Sequence, residues 1–487
     1  MTQLDTLLSS VSVLKIVGTT QKMISSVVFD SRKVEKEAIF VAIRGTQTDG
    51  HYYISSAIEK GATVVVCEEL PSVFDKNVTY VQTSNSQIAL GKIASAFYGH
   101  PSEALRVVAV TGTNGKTTTV TLLYRLFTSL GYRCGLISTV ENRIGEKVYP
   151  AQMTTPDALT LQQLFAEMKE QQCSHCFMEA SSHAIHQNRL AGVKLEGAVF
   201  TNITHDHLDY HKTFENYIAA KKKLFDELPK DAFALVNVDD KRGRVMLQNC
   251  QASIQKTFAL KNPADFKGKV LTNSFDGLQI EINGTPVWFR LIGEFNAYNL
   301  LGIYGTAILL EEDANKILLH LSQLSSANGR FEKITSSNGI HAIVDYAHTP
   351  DALQNVLETI YAIRKGKERI ITVVGCGGER DKAKRPMMAK IAAQYSDKVF
   401  LTADNPRSEE VMEIISQMYE GLTTFAMREK TVIEPDRAKA IQQAIRMANP
   451  GDMVLIAGKG HESYQEIKGI KYPFSDKEEV IKNFSSL

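Results

Sequence analysis

The sequence predicts an α/β protein of three domains. These are a small α/β N-terminal domain over residues 1–102, a central α/β domain over 103–331 and a Rossmann-like, doubly wound C-terminal domain over 332–487. Three observations lead there. A chain of 487 residues exceeds the roughly 100–200 residues that one domain usually organises. An apolar, strand-like run over 107–110 passes through Gly112 and Gly115 into an apolar-periodic helix marked by Leu122, Leu123 and Leu126. From about residue 332 a strand–turn–helix rhythm repeats four times, and such alternation implies a parallel sheet covered on both faces.

In the first domain, strands are expected over 27–29, 39–41 and 63–67 and a helix over 53–60. Two polar turns lie between them, one at Asp30-Ser31-Arg32 and one over 45–51, and the His-Pro-Ser around Pro101 punctuates before the next strand. In the central domain, Val199 and Phe200 run into a cluster rich in Asn, Thr, His and Asp (201–211), and a helix follows over 214–225. Gly293-Glu294-Phe295-Asn296 opens a further apolar helix near Leu300. In the last domain, strands are expected over 342–344, 370–374, 398–401 and 453–457, with helices over 351–363, 385–393, 408–419 and 437–447. Ligands of such sheets sit beyond the C-terminal strand ends. Asp345, residues 375–381, residues 404–407 and residues 458–462 fall there.

Composition narrows the function classes. With 44% hydrophobic and 22% charged residues the chain has the make-up of a soluble globular protein. A net charge of +1 gives no electrostatic reason to expect nucleic acid or an anionic membrane as partner. No apolar run approaches the ~20 residues of a membrane helix, and the N-terminus lacks the form of a signal peptide. Six cysteines without framework spacing fit a reducing cytoplasm. Cys173 and Cys176 form a C-x-x-C, but without a second pair they read as buried small apolar residues.

The chemistry concentrates at Thr111-Gly112-Thr113-Asn114-Gly115-Lys116-Thr117-Thr118. A strand that turns into a helix through glycines offers backbone N–H groups and the positive helix end to an anion. A lysine there reaches outer phosphates, and a threonine hydroxyl holds Mg²⁺. The usual spacing would place a glycine at 110, where Val110 stands. The reading is a P-loop-type site for a nucleoside triphosphate.

Four further clusters carry a bland and a chemical reading each. Glu179, at the end of an apolar stretch, is a capping group or a second carboxylate for Mg²⁺, which favours one or two carboxylates plus phosphate oxygens. His207 lies in a His/Asp-rich segment that lacks the ligand spacing and cysteine support of zinc. Lys221, Lys222 and Lys223 form a charge run that is normally a solvated face; like-charged neighbours would lower the pKa of Lys221, and a neutral amine takes up CO₂ to give a carbamate. Asp404-Asn405-Pro406-Arg407 is a turn or a recognition loop in which the Arg407 fork suits a carboxylate and Asp404 an ammonium, as an amino acid would require. Arg380 offers a second carboxylate contact.

Together the 111–118 loop, Glu179-Ala-Ser-Ser-His183, Asp206-His-Leu-Asp209, Gly293-Glu-Phe-Asn296, Asp345-Tyr-Ala-His-Thr-Pro350 and Gly458-Lys-Gly-His-Glu462 resemble, in order and over nearly the whole chain, the Mur ligases. These are the ATP-dependent amide-forming enzymes of peptidoglycan precursor synthesis. Within the family, Asp30-Ser31-Arg32 and Asp404–Arg407 look like the diaminopimelate-adding form. The resemblance implies that Gly112, Thr113, Asn114, Gly115, Lys116, Thr117 and Thr118 hold ATP, with Asn296 and Asp345 on the nucleoside and Arg330 on the phosphates. It implies Thr117, Glu179, His207 and a carbamylated Lys221 as the magnesium ligands, with Lys116, Glu179, His207 and Lys221 central to catalysis. Ser31, Thr46, Gln47 and Thr48 would bind the uridine diphosphate end, and Thr154, Thr155, Ser181, Gln187 and Arg189 the muramoyl-dipeptide. Arg380, Asp404, Asn405, Pro406, Arg407, Gly458 and Glu462 would hold meso-diaminopimelate. Met153, before the threonine pair, departs from a polar side chain at that position.

The reaction so implied passes the γ-phosphate of ATP to the D-glutamyl carboxylate of a UDP-N-acetylmuramoyl-dipeptide, and an amine of diaminopimelate attacks the resulting acyl phosphate. A cytoplasmic monomer is expected. The rival readings are a lysine-adding relative, another Mur ligase or folylpolyglutamate synthase, and a non-catalytic ATP-binding protein. Arg407 argues against the first, the Ser31 region and chain length against the second, and Lys116, Glu179, His207 and Lys221 together against the third.

Overall fold

A computed structural model describes residues 1–45, 48–364 and 366–486. Three sheets organise them. The first has five strands in the order Val13–Val17, Thr79–Thr83, Ala62–Cys67, Ala38–Val41 and Ser26–Val28. Its last four strands are parallel and the first is antiparallel at the edge. The helix Ser86–Phe97, capped by the Asn85 side chain on the Ile88 N–H, packs on it through Ala89, Leu90 and Ile93.

The second sheet has 11 strands. Its parallel centre runs Cys134–Ile137, His175–Glu179, Arg106–Thr111, Gly197–Phe200, Phe233–Asn237 and Ile254–Ala259. Alternation along Arg106–Thr111 sends Val108 and Val110 to one face and Val107 and Ala109 to the other, as a strand buried on both faces requires. Helices Lys116–Ser129 and Glu294–Leu309 cover the first face, and Ala158–Glu170 and Phe214–Asp226 the second. The hairpin Glu141–Ile144/Lys147–Pro150 extends one edge; the meander Phe266–Ser274, Gly277–Ile282 and Thr285–Phe289 extends the other.

The third sheet runs Glu332–Thr335, His341–Asp345, Met453–Ala457, Ile370–Cys376, Lys398–Ala403 and Thr431–Ile433. All pairs are parallel except the first. Helices Pro350–Ile363, Lys384–Tyr395 and Val411–Tyr419 pack on one face and Arg437–Arg446 and Asp476–Phe484 on the other, which gives the doubly wound layering expected.

The helix expected from 408 begins at Val411. Arg407 has φ 52°, and its N–H and C=O are bonded to Glu466 and Lys468, so the chain is held in a loop before the helix can start. The edge hairpins and the strands Glu332–Thr335, Thr431–Ile433, Tyr464–Ile467 and Ile470–Pro473 were not among the expected elements. All six cysteines are free and buried, Cys173 and Cys176 included. Among the described residues no helix is long and apolar enough to cross a membrane.

Candidate active site

The phosphate loop joins the C-terminal end of Arg106–Thr111 to the N-terminus of Lys116–Ser129. Sterics require its glycines. A Cβ at Gly112 would stand 1.9 Å from Thr201 Oγ1, and one at Gly115 (φ 88°) 2.4 Å from Asn299 Oδ1. Residues from the neighbouring strand end brace the loop. The Asn114 N–H donates to Asn202 Oδ1 (2.9 Å), and its carbonyl accepts from Thr201 Oγ1 (2.7 Å) and Asn202 Nδ2 (3.1 Å). Thr113 Oγ1 lies 3.0 Å from the Tyr217 hydroxyl, and Thr117 and Thr118 are buried in the first helical turn.

Two lysines converge on one carbonyl. Lys116 Nζ donates to Gly112 O and Thr113 O (both 2.9 Å), and Lys221 Nζ donates to the same Gly112 O (2.8 Å). Lys221 is only 1% exposed, and its ammonium stands 4.6 Å from the Tyr217 ring centre. Burial, then the charge of Lys116, pushes its pKa well below the ordinary lysine value, against the pull of Asp206. This corrects the expected cause. Lys222 pairs with Asp226 and Lys223 with Glu227 on the outer face of the helix, so the run of three is not what perturbs Lys221.

Glu179 is fully buried at its strand end. Its Oε1 accepts from the Thr139 N–H (2.7 Å), while Oε2 has no hydrogen-bond partner. A buried carboxylate oxygen without a donor is costly unless something of positive charge takes it up. His207 (φ 53°) opens the short helix Leu208–His211, with its ring 4.8 Å from that of His183 and 6.1 Å from that of Tyr217. Burial lowers its pKa, which leaves a neutral imidazole with a free lone pair. Carboxylate, neutral imidazole, hydroxyl and a lysine able to lose its charge form a donor set that fits Mg²⁺ beside phosphate. Among the described residues no three His, Cys, Asp or Glu side chains gather as a metal group.

Arg330 reaches this site from the segment leading into the third sheet. Its Nη2 donates to Thr117 Oγ1 (3.1 Å), its guanidinium lies 4.7 Å from the Tyr346 ring centre, and Nε has no partner. Asp345 turns both oxygens to backbone, accepting from Phe331 N–H (2.6 Å) and Ala347 N–H (2.7 Å). Burial raises its pKa while Arg330 opposes. Asn296 bonds Ile292 O (2.8 Å) and accepts from Asn299 (3.0 Å), so it braces the residue that crowds Gly115.

Thr154, Thr155, Ser181, Gln187 and Arg189 stand in one network beside Glu179. Thr155 Oγ1 donates to Glu179 O (2.7 Å) and accepts from Ser181 N–H (3.1 Å); Thr139 Oγ1 donates to Thr154 Oγ1 (3.0 Å). Arg189 grips Gln187 Oε1 (2.7 Å) and Thr155 O (2.8 Å), and its Nη1 also meets Met153 Sδ at 3.4 Å. Ser31 sits in the turn Ser31–Lys33, where the Asp30 side chain accepts from the Arg32 N–H (3.0 Å). Thr48 O accepts from Gly45 N–H (2.9 Å), while Thr46 and Gln47 lie outside the described residues. Gln87 links the two regions, donating to Arg44 O (3.1 Å) and accepting from Asn188 (3.4 Å).

At the third sheet, the loops 404–407 and 458–462 meet. Asn405 Nδ2 donates to Glu462 Oε2 (2.8 Å), and a Cβ at Gly458 (φ 116°) would stand 2.8 Å from Asp404 Oδ2. Pro406 is buried, and Arg407 Nη1 donates to Gly378 O (2.5 Å). Arg380 is exposed at the rim. Sequence reasoning missed Lys459. It is fully buried and donates to Asn405 Oδ1 (3.0 Å) and Glu462 Oε2 (2.8 Å). It also missed Thr201 and Asn202, though both sit in the polar cluster already noted.

Family models match three stretches of the chain: Mur ligase family, catalytic domain, at 23–98; Mur ligase middle domain at 110–307; and Mur ligase, glutamate ligase domain, at 329–460. The chain belongs to the Mur ligase family. Its relatives narrow the likeness. It is 56% identical over 476 residues to UDP-N-acetylmuramoyl-L-alanyl-D-glutamate–2,6-diaminopimelate ligase of Cytophaga hutchinsonii, covering 98% of this chain and 97% of that one. It is 51% identical over 485 residues to the ligase of the same name from Bacteroides fragilis, covering 100% and 99%. A solved structure of a ligase of that name superposes with a TM-score of 0.70 at 32% identity, covering 100% of this chain and 99% of the other. MurF from Acinetobacter baumannii shares the fold, with a TM-score of 0.64 at 16% identity.

Proposed function

We propose that this chain joins meso-diaminopimelate to the D-glutamyl carboxylate of UDP-N-acetylmuramoyl-L-alanyl-D-glutamate with cleavage of ATP to ADP and phosphate. The observation that carries the reading is the buried Glu179 with one unpartnered oxygen, set beside a phosphate loop on which Lys116 and Lys221 converge. Identity of 51–56% to full-length ligases of that name supports the substrate assignment.

In this reading residues 1–102 bind the UDP end through Ser31, Thr46, Gln47 and Thr48. Residues 103–331 bind ATP and the muramoyl-dipeptide, and 332–487 bring diaminopimelate. The carboxylate and the γ-phosphate are both anions, and Lys116 and Arg330 neutralise the charge as they approach. The carboxylate oxygen bonds to the γ-phosphorus as the bond to ADP breaks. An uncharged amine of diaminopimelate then attacks the acyl carbon, phosphate leaves with the bonding pair, and the amine loses its proton. Thr117, Glu179, His207 and a carbamylated Lys221 would hold magnesium, which supplies further neutralisation of phosphate charge. The depressed pKa of Lys221 supports the carbamate, because only a neutral amine attacks CO₂, shedding a proton as the N–C bond forms. Asp404 and Arg407 orient the amino acid by its ammonium and distal carboxylate. The protein acts as a cytoplasmic monomer.

The test is phosphate release by the purified chain with ATP, Mg²⁺, the UDP-dipeptide and meso-diaminopimelate. Release that stops when any one component is omitted is expected. Release indifferent to the UDP-dipeptide contradicts the reading.

A further inference from the structure

The helix Pro350–Ile363 of the third-sheet region starts against the phosphate loop of the central region. A single carboxylate oxygen marks the contact. Asp351 Oδ2 accepts from Asn114 Nδ2 (2.9 Å), from Thr204 Oγ1 (3.0 Å) and, less closely, from Asn355 Nδ2 (3.3 Å) on its own helix. The first two donors come from the other region and from two different loops. One is the phosphate loop; the other leads into Asp206 and His207.

Both donors are presented from a fixed frame. The backbone of Asn114 is tied at both ends to Asn202 and Thr201, so its carboxamide is the part left to reach outward. The Thr204 N–H is held by Thr113 Oγ1 (3.0 Å), which leaves its hydroxyl to donate. A carboxylate in a first helical turn ordinarily only complements the helix dipole, and that role needs no partner elsewhere. The cap itself is Thr349, whose side chain accepts from Ala352 N–H (3.3 Å). Asp351 is thus free of the capping role and is spent on the joint.

We propose that Asp351 is a positioning residue that locks the amino-acid-carrying domain to the phosphate loop and the His207 loop at once. The inference rests on the ligase reading above. Asp351 follows the strand His341–Asp345, and Asp404 and Arg407 follow Lys398–Ala403 of the same sheet, so its contacts tie the region of the amino-acid loop to the phosphate loop. Seated, it fixes the Asn114 side chain and, through Thr204, the approach to His207. The effect falls on turnover and leaves the capture of ATP alone, since the backbone cradle of the loop is braced by Thr201 and Asn202 without it.

The experiment compares Asp351→Ala, Asp351→Asn, Thr204→Val and the Asp351→Ala/Thr204→Val pair with the parent in the phosphate-release assay, with Asn355→Ala as control. Thermal unfolding confirms that each is folded. Loss of a charge-assisted bond predicts a kcat lower by roughly 10- to 100-fold for Asp351→Ala with KM for ATP little changed. Asn, which keeps an acceptor, recovers part of the rate and also decides the matter should the alanine variant fail to fold. The double variant is no worse than the worse single one, and Asn355→Ala runs at the parent rate. A parent-like kcat in Asp351→Ala, a loss confined to the KM for ATP, or strictly additive losses overturns the inference while an active parent leaves the ligase reading standing. A silent parent overturns both.

Discussion

The phosphate loop and the loops at the end of the third sheet are both candidate ligand sites built at strand ends, yet they are finished differently. Around Gly112 the structure leaves charges and lone pairs unspent. Glu179 Oε2 and Arg330 Nε have no partners, and two lysine nitrogens donate to one backbone carbonyl. At 404–407 nearly every group is engaged from within. Lys459 holds Asn405 and Glu462, Asn405 also holds Glu462, and Arg407 leans on Gly378 O. On the proposed function the first site receives a ligand that brings charge of its own. The second would exchange internal bonds for those of its ligand, so small changes in ligand chemistry would weigh heavily there.

The comparison can be broken most directly at the loop. Lys116→Ala removes a cation that the proposed function sets against the transferred phosphate, and turnover falls by roughly 1,000-fold; near-parent ADP release by that variant contradicts the assignment. Lys221→Ala should cost about 100-fold, on the scale of one lost charge-stabilising group. Added short-chain carboxylate should restore part of it, because the proposed carbamate is an anion; full activity without rescue excludes any need for the carbamate. At the other site Arg407→Ala raises the KM for diaminopimelate by about 100-fold, the scale of an orphaned charge partner, while the KM for ATP stays put. An unchanged KM for diaminopimelate refutes the role.

The smallest effect concerns the scaffold of the second site. Arg385, fully buried, grips Glu409 (2.8 and 2.9 Å) and so ties the helix Lys384–Tyr395 to the stretch after Arg407. The guanidinium holds the Glu409 carboxyl down to about 2, from an ordinary 4.5. A depressed folded-state pKa stabilises above the unfolded value and is lost as pH falls toward the folded one. The gap in Tm between parent and Glu409→Gln is therefore widest above pH 4.5 and narrows toward pH 2. A gap as wide near pH 2 as at neutral pH would mean that the ion pair is not its source.

What was legible in the sequence follows the same divide. The phosphate loop is local: glycines, lysine and threonines stand within eight residues, and the strand and helix beside them fall where the periodicity puts them. The parallel strands of the third sheet are equally plain, because strands buried on both faces read as continuous apolar runs. Lys221 is different. Its neighbours in sequence suggest solvent, and only the fold carries it under the loop onto Gly112 O, some hundred residues away in the chain; the family resemblance alone singled it out. Lys459 was quoted within a motif and passed over, since a lysine among glycines gives no sign that it will be buried against Glu462. Asp351 was invisible for the same reason, because its partners Asn114 and Thr204 lie in another domain. The edge hairpins over 266–289 escaped because short, half-exposed strands alternate too weakly to stand out from turns.

The most direct test of the account sets meso-diaminopimelate against L-lysine as the amine in the complete ligation assay and compares kcat/KM for the two. The arrangement of Asp404, Arg407 and Lys459 predicts turnover with diaminopimelate and almost none with lysine, whose distal end has no carboxylate to meet the guanidinium. Equal or better turnover with lysine would contradict it.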